Sequence, residues 1–359
     1  MTAPGGNVLV ARLDNEGDVL LTGPAVRAVA AHARRVTMLC GPRGHAAAEL
    51  LPGVDELLVH RAPWIDPEPR AVDREVELGL VDELGRRGID RAILLTSHHQ
   101  SPLPLALLLR LAGVPFVAAA SADYPGSLLD LRHGVDDRVH EVERGLSLVG
   151  ACGYELPPGD EGRLAIRRSG SVRSVVSPDL PYVVVHPGAS VPARAWGPER
   201  NSELVEALAE GGHRVVVTGS PGEIDLTARV AGRARSGVFD LGGATSLVGL
   251  ADVLAGADAV VVGNTGPAHL AAAVGTPVVS LFAPTVPAVR WRPWKVAHEL
   301  LHVEVACAGC RARECPVPGH PCLEGVSTAE VVAAVERVAP GSTGPQAVRR
   351  PPVATGAAA

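Results

Sequence analysis

Four short segments carry residue types that could hold an anion or move a proton. The first is Arg12-Leu-Asp-Asn-Glu-Gly-Asp18, directly after an apolar run. Gly17 permits a tight turn or the close approach of another chain. Asp18 follows at the carboxyl end of the expected strand, where a carboxylate can serve as a general base. It can equally be a helix N-cap, a position Asp favours. The segment is also acidic, with Asp14 and Glu16. The second segment is His186-Pro-Gly-Ala-Ser190, followed by Arg194-Ala-Trp196. Gly188, Ala189 and Ser190 are small, so their backbone N–H groups can approach an anion. Arg194 adds a permanent charge on a planar fork suited to phosphate; the bland alternative is a surface loop with an exposed arginine.

The third segment is Thr218-Gly-Ser-Pro-Gly-Glu223. Glu223 can accept hydrogen bonds from a ribose or simply favour the first turn of a helix. The fourth is Gly263-Asn-Thr-Gly-Pro-Ala-His269. Pro267 suits a first helical turn, and Thr265 and Gly266 then place a hydroxyl and free N–H groups at a helix N-terminus, a ready anion site. His269 belongs to the same end of that helix and can be a ligand-facing or a packed core residue. Together the segments describe a nucleotide diphosphate site in the second half and a carboxylate base in the first. There is no G-x-x-x-x-G-K-[ST] loop and no clear G-x-G-x-x-G fingerprint. Kinases, GTPases and ordinary nicotinamide dehydrogenases are therefore disfavoured.

Four of the six cysteines cluster as Cys307, Cys310, Cys315 and Cys322, with His302 and His320 nearby. A structural four-thiolate zinc site, reduced structural thiols, and disulfide or redox chemistry all remain open for this spacing.

The elements that must position these residues repeat one grammar twice. Strands are expected at 7–13, 35–40, 89–96 and 115–119, with helices at 24–33 and 103–112. The pattern restarts with strands at 182–186, 214–218, 259–262 and 278–282. Helices are expected at 199–210, 223–231, 247–255, 267–273 and 328–338. Strands alternating with helices imply βαβ units and parallel sheets, whose ligands bind beyond the carboxyl ends of the strands. The length of 359 residues and the 47% hydrophobic content suit two such α/β domains. We expect an N-terminal domain at 1–165, a linker at 166–181, a C-terminal domain at 182–339 and a disordered Pro/Gly/Ala tail at 340–359.

The net charge is −6 and Lys295 is the only lysine. With no long basic run, nucleic acid is not expected as a partner. The most apolar stretch, 103–122, has Arg110 in its middle and is broken by Pro115, so it reads as a buried helix and a strand. The first residues lack the basic and apolar regions of a signal peptide. A cytoplasmic location is expected, and peripheral membrane contact stays compatible with it.

The order Gly17-Asp18-Val-Leu-Leu-Thr-Gly-Pro-Ala25, His186-Pro-Gly-Ala189, Gly266-Pro-Ala-His-Leu-Ala-Ala-Ala273 and Leu281-Phe-Ala-Pro-Thr285 resembles glycosyltransferase family 9. That family includes the lipopolysaccharide heptosyltransferases. The resemblance implies a GT-B fold, with two Rossmann-like parallel-sheet domains facing across a cleft. It implies inverting, metal-independent transfer of a heptose-like sugar from a nucleotide diphosphate donor to a hydroxyl of a glycan or small molecule. No cofactor is implied beyond the donor, ADP-heptose in the family. By the resemblance Asp18 is the catalytic base; Arg12 and Gly17, in the same loop, are expected on the acceptor side. Arg194 holds the donor diphosphate and assists its departure. Gly188, Ala189, Ser190, Glu223, Thr245, Ser246, Leu247, Asn264, Thr265, Gly266 and His269 line the donor. One departure stands out: the family usually carries Asp where this chain has Asn264, which puts the usual donor in doubt. The rival expectations are a GT-B sugar-nucleotide 2-epimerase and a noncatalytic sugar-nucleotide sensor.

Overall fold

Runs rich in Val, Leu and Ala form the strands that are buried on both faces, as parallel sheets require. The computed structural model describes residues 5–136, 138–168, 180–232 and 236–340. Most of the expected linker and all but the first residue of the expected tail lie outside them.

In chain order the first six strands are β1 (Asn7–Arg12), β2 (Arg35–Cys40), β3 (Glu56–Val59), β4 (Arg91–Leu94), β5 (Phe116–Ala120) and β6 (Leu131–His133). The helices among them are α1 (Glu16–Leu21), α2 (Gly23–Ala30), α3 (His45–Leu50), α4 (Arg74–Arg87), α5 (Leu103–Leu111) and α6 (Glu141–Ala151). The second six strands are β7 (Val183–His186), β8 (Val215–Gly219), β9 (Val238–Gly242), β10 (Ala259–Gly263), β11 (Val278–Leu281) and β12 (His298–Leu301). With them run α7 (Pro198–Glu210), α8 (Ile224–Ala231), α9 (Leu247–Ala255), α10 (Gly266–Val274), α11 (Ala288–Trp291), α12 (Pro321–Glu324) and α13 (Thr328–Val338).

The chain forms two compact units. Among the described residues, the first comprises 5–136 and 138–168 with Asn264–Gly275 and Val286–Val296. Its sheet is parallel throughout, in the order β3-β2-β1-β4-β5-β6. Leu9, Leu84, Leu109 and Val117 are fully buried in its core. Among the described residues, the second unit comprises 180–232, 236–263, Thr276–Thr285 and 297–340. Its sheet is also parallel, in the order β12-β11-β10-β7-β8-β9. Its core includes Val183, Val217, Leu204 and Val331. Counted within each half, the two strand orders are the same doubly wound order. The switch points lie between β1 and β4 in the first unit and between β7 and β10 in the second, where such sheets place their ligands.

The strand expectations held for every central strand, within a residue or two at most ends. β3, β6, β9 and β12 were not expected, and all four are edge strands. Their residues are mostly half-buried, so they lack the continuous apolar run that marks the interior. The helical region after β1 also begins earlier than the expected 24–33, at Glu16. Segments 264–275 and 286–296, assigned from the sequence to the second domain, make their contacts in the first unit.

Candidate functional site

In the first unit the site grows from the end of β1. Arg12 closes that strand and is 3% exposed, so its charge must be met inside the protein. Its Nε lies 2.7 Å from Asp14 Oδ2, its Nη2 3.0 Å from Asp18 Oδ1 and its Nη1 3.3 Å from Glu141 Oε2. Nη2 also donates to Ser97 Oγ at 2.7 Å. Burial works against the charge of Arg12, but Asp14, Asp18 and Glu141 outweigh it and hold the guanidinium protonated above its ordinary range. The Asp18 side chain is 22% exposed, against 6% for Asp14 and 2% for Glu141. Of the three carboxylates on Arg12, Asp18 alone is open to an incoming molecule.

Asp18 does not cap the helix. Asn15 is the N-cap of α1, in extended conformation, and Asp18 is the third helical residue. Gly17 packs against α10: a Cβ there would stand 2.9 Å from His269 Cδ2 and 3.1 Å from Gly266 Cα. The family segment with His269 and the segment with Asp18 thus meet within one unit. Thr265 is the N-cap of α10. Its Oγ1 is buried and makes no hydrogen bond among the described residues, although a buried hydroxyl normally finds a partner. Pro267 sits in the first turn, as expected, and Gly275 ends the helix in the left-handed region. Asn264 and His269 are both buried.

In the second unit β7 delivers His186, buried, with Nδ1 3.0 Å from Thr218 Oγ1 at the end of β8. Burial pushes His186 down to about 4, with Glu223 opposing the shift. The ring is therefore neutral at pH 7. Gly188 lies against Glu223: a Cβ on Gly188 would stand 2.0 Å from Glu223 Oε1. The other oxygen of Glu223, Oε2, accepts from Ser220 N at 2.7 Å and from Ser220 Oγ at 2.8 Å. Those bonds aim the carboxylate at the small-residue loop after β7 and cap the 3-10 turn Pro221–Glu223. Ala189 is half-buried and Ser190 exposed. Arg194 is half-buried and ends the 3-10 turn Pro192–Arg194. Ser246 caps α9, accepting from Gly249 N at 3.3 Å, with Thr245 and Leu247 beside it.

The cysteine loop is tied by its backbone to this unit. Gly309 N donates to Pro284 O at 2.7 Å and Arg311 N to Thr285 O at 3.0 Å. Ala193 N, one residue before Arg194, donates to Arg313 O at 2.9 Å. All four sulfurs are free thiols; Cys307 and Cys310 are exposed, Cys315 is half-buried and Cys322 buried. Burial raises the Cys322 thiol, and the other three thiols add to the effect. Among the described residues no group of three or more His, Cys, Asp or Glu is arranged to hold a metal ion. No helix among them is long and apolar enough to cross a membrane.

Asp14, Ser97, Gln100, Glu141 and Arg144 were not singled out from the sequence as site residues. Glu141 stands 129 positions from Arg12, and no local pattern links them. The only available signal was the excess of acid near Asp18, which calls for a buried cation.

Comparison with known proteins agrees with this architecture. The model of glycosyltransferase family 9 (heptosyltransferase) matches residues 78–320. Lipopolysaccharide heptosyltransferase 3 of Escherichia coli is 32% identical over 170 residues, 45% of this chain and 48% of that protein. Lipopolysaccharide heptosyltransferase 1 of Pseudomonas aeruginosa is 34% identical over 181 residues, 49% of this chain and 48% of that protein. The chain thus matches about half the length of these curated relatives. The structure of E. coli ADP-heptose lipopolysaccharide heptosyltransferase II superposes with a TM-score of 0.70 at 19% identity, covering 92% of this chain and 98% of that one. The two doubly wound sheets are those of the GT-B fold. With the family model matching more than half of its length, the chain belongs to glycosyltransferase family 9.

Proposed function

We propose that the protein is a glycosyltransferase that moves a heptose-like sugar from a nucleotide diphosphate to an acceptor hydroxyl, with inversion and without a metal. The observation that carries this reading is the Arg12 cluster, which leaves Asp18 as its one partly exposed carboxylate. Asp18 removes the acceptor proton as the acceptor oxygen bonds to the anomeric carbon. The bond from that carbon to the diphosphate oxygen breaks in the same step, and the nucleoside diphosphate leaves with the electron pair. Arg194 and the N–H groups around Ala189 and Thr265 are suited to hold the growing negative charge. Glu223 is assigned to the ribose, a reading supported by its approach to Gly188 and its hold by Ser220. Thr245, Ser246 and Leu247 are assigned to the nucleobase, and Asn264, Gly266 and His269 to the donor sugar. ADP-heptose, named for the E. coli structure, is the first donor to test, and a glycan or small molecule is the acceptor. Asn264 has no charge of its own to offer sugar hydroxyls, so related donors belong in the same screen.

The test joins thermal shift with nucleotide sugars to turnover of the donors that bind. Asp18→Asn is expected to lose about 10²–10⁴ in rate while binding ADP as the wild type does. Arg194→Ala is expected to weaken ADP binding by about 1.5–3 kcal/mol. Release of nucleoside diphosphate only with acceptor present separates a transferase from an epimerase and from a sensor. Turnover of Asp18→Asn near the wild-type rate would refute the assignment.

A further inference from the structure

A simple pair between Arg12 and Asp18 would make a poor base. An arginine held against one carboxylate favours the ionised form and lowers its appetite for a proton. The guanidinium is instead divided. Asp14 lies on Nε, Glu141 on Nη1, and Asp18 shares Nη2 with Ser97 Oγ. Each competing partner is itself fixed. Ser97 Oγ donates to Asp14 Oδ2 at 3.0 Å and Gln100 Nε2 to Asp14 Oδ1. Ser97 N donates to Gln100 Oε1 at 3.0 Å, closing the ring. Glu141 Oε2 also lies 3.8 Å from Arg144 Nη1, which donates to the Thr96 carbonyl. Three elements therefore converge on one cation: the end of β1, the loop after β4 and the first turn of α6.

We propose that Asp14 and Glu141 are positioning residues for Asp18, acting through Arg12. They lock the guanidinium in place and draw its charge away from Asp18, which keeps that carboxylate oriented and still able to take a proton. The proposal rests on Asp18 being the base. Charged groups also stand on the elements packed against α1. Arg43 pairs with Glu68 at 3.2 Å, His45 lies 3.6 Å from Glu49, and Arg27 on α2 pairs with Asp160. Glu16 on α1 itself is pushed up by burial. His269 on α10 packs at Gly17, beside Asp18.

The test is a carboxyl ¹³C NMR titration of the full chain labelled at aspartate. The Asp18 signal is identified by its absence in Asp18→Asn. Glu141→Gln is expected to lower the Asp18 midpoint by on the order of one pH unit, and Arg12→Gln to raise it. Glu141→Asp is expected to restore most of the wild-type value, which a merely structural role would not require. The acid limb of the turnover profile, read with ADP-heptose or the donor that binds, should move with the midpoint. If Glu141→Gln does not fold, Asp14→Asn carries the same expectation. A midpoint unmoved in a folded variant, beside an inactive Asp18→Asn, would overturn this proposal alone. An active Asp18→Asn would overturn the base assignment and the proposal with it.

Discussion

Gly17 offers a sharp test of the packing at the site. Replacing it by alanine adds one methyl group where α1 meets α10. That carbon would stand 2.9 Å from His269 Cδ2, 3.1 Å from Gly266 Cα and 3.5 Å from Gly266 N. Carbon atoms rest at about 3.5–4.0 Å. The Gly266 backbone cannot turn aside, so the helices must part by roughly half an ångström. Overpacking of this kind costs about 1–3 kcal/mol. The same change relieves the intrinsic helix penalty of glycine, about 0.5–1 kcal/mol. The steric cost wins, and Gly17→Ala should destabilise by about 0.5–2 kcal/mol. Gly79 supplies the control: it is exposed within α4 and a Cβ there meets nothing within 4 Å. Gly79→Ala should therefore stabilise by about 0.5–1 kcal/mol. Urea unfolding followed by circular dichroism compares both variants with the wild type. Turnover of Gly17→Ala should also fall, since Asp18 is the next residue. A Gly17→Ala protein as stable as Gly79→Ala would refute the close contact between α1 and α10.

The second unit yields two further predictions. A methyl group on Gly188 would overlap the Glu223 carboxylate, so Gly188→Ala should break its bonds to Ser220 and weaken ADP binding by on the order of tenfold; unchanged affinity by calorimetry would remove Glu223 from the donor site. His186 is held at about 4, below its ordinary 6.5, so an unfolded chain binds the extra proton first and stability falls with pH through that window. The contribution is full above pH 6.5, and about 2 kcal/mol of it should be lost between pH 7.5 and pH 5. His140 and His213 shift in the same direction, so the decisive comparison is with His186→Gln, whose urea-unfolding stability should fall less over that range. An identical slope would show that His186 titrates normally.

The difference between what was legible and what was not follows from how far each signal reaches along the chain. β7 is four residues of Val and His, all buried, and any such run declares itself. β12, His298–Leu301, is half-buried throughout and takes its place only because β11 is there to pair with. α4 has a cap at Asp73 and a left-handed Gly88 at its end, and it was not among the expected helices.

By itself the sequence determined the α/β grammar, the central strands, the loops after β1, β7, β8 and β10, and the family. All of these depend on residues within a few positions of one another, where steric preference and apolar periodicity act directly. The tertiary structure alone decided that Asp18 lies inside a helix rather than at its cap, that α10 packs against Gly17, and that Glu223 turns toward Gly188. It also decided that Arg12 is shared among Asp14, Asp18 and Glu141. A buried charge must find its counter-charges wherever the fold brings them, and here one of them stands 129 residues away, beyond the reach of any local pattern.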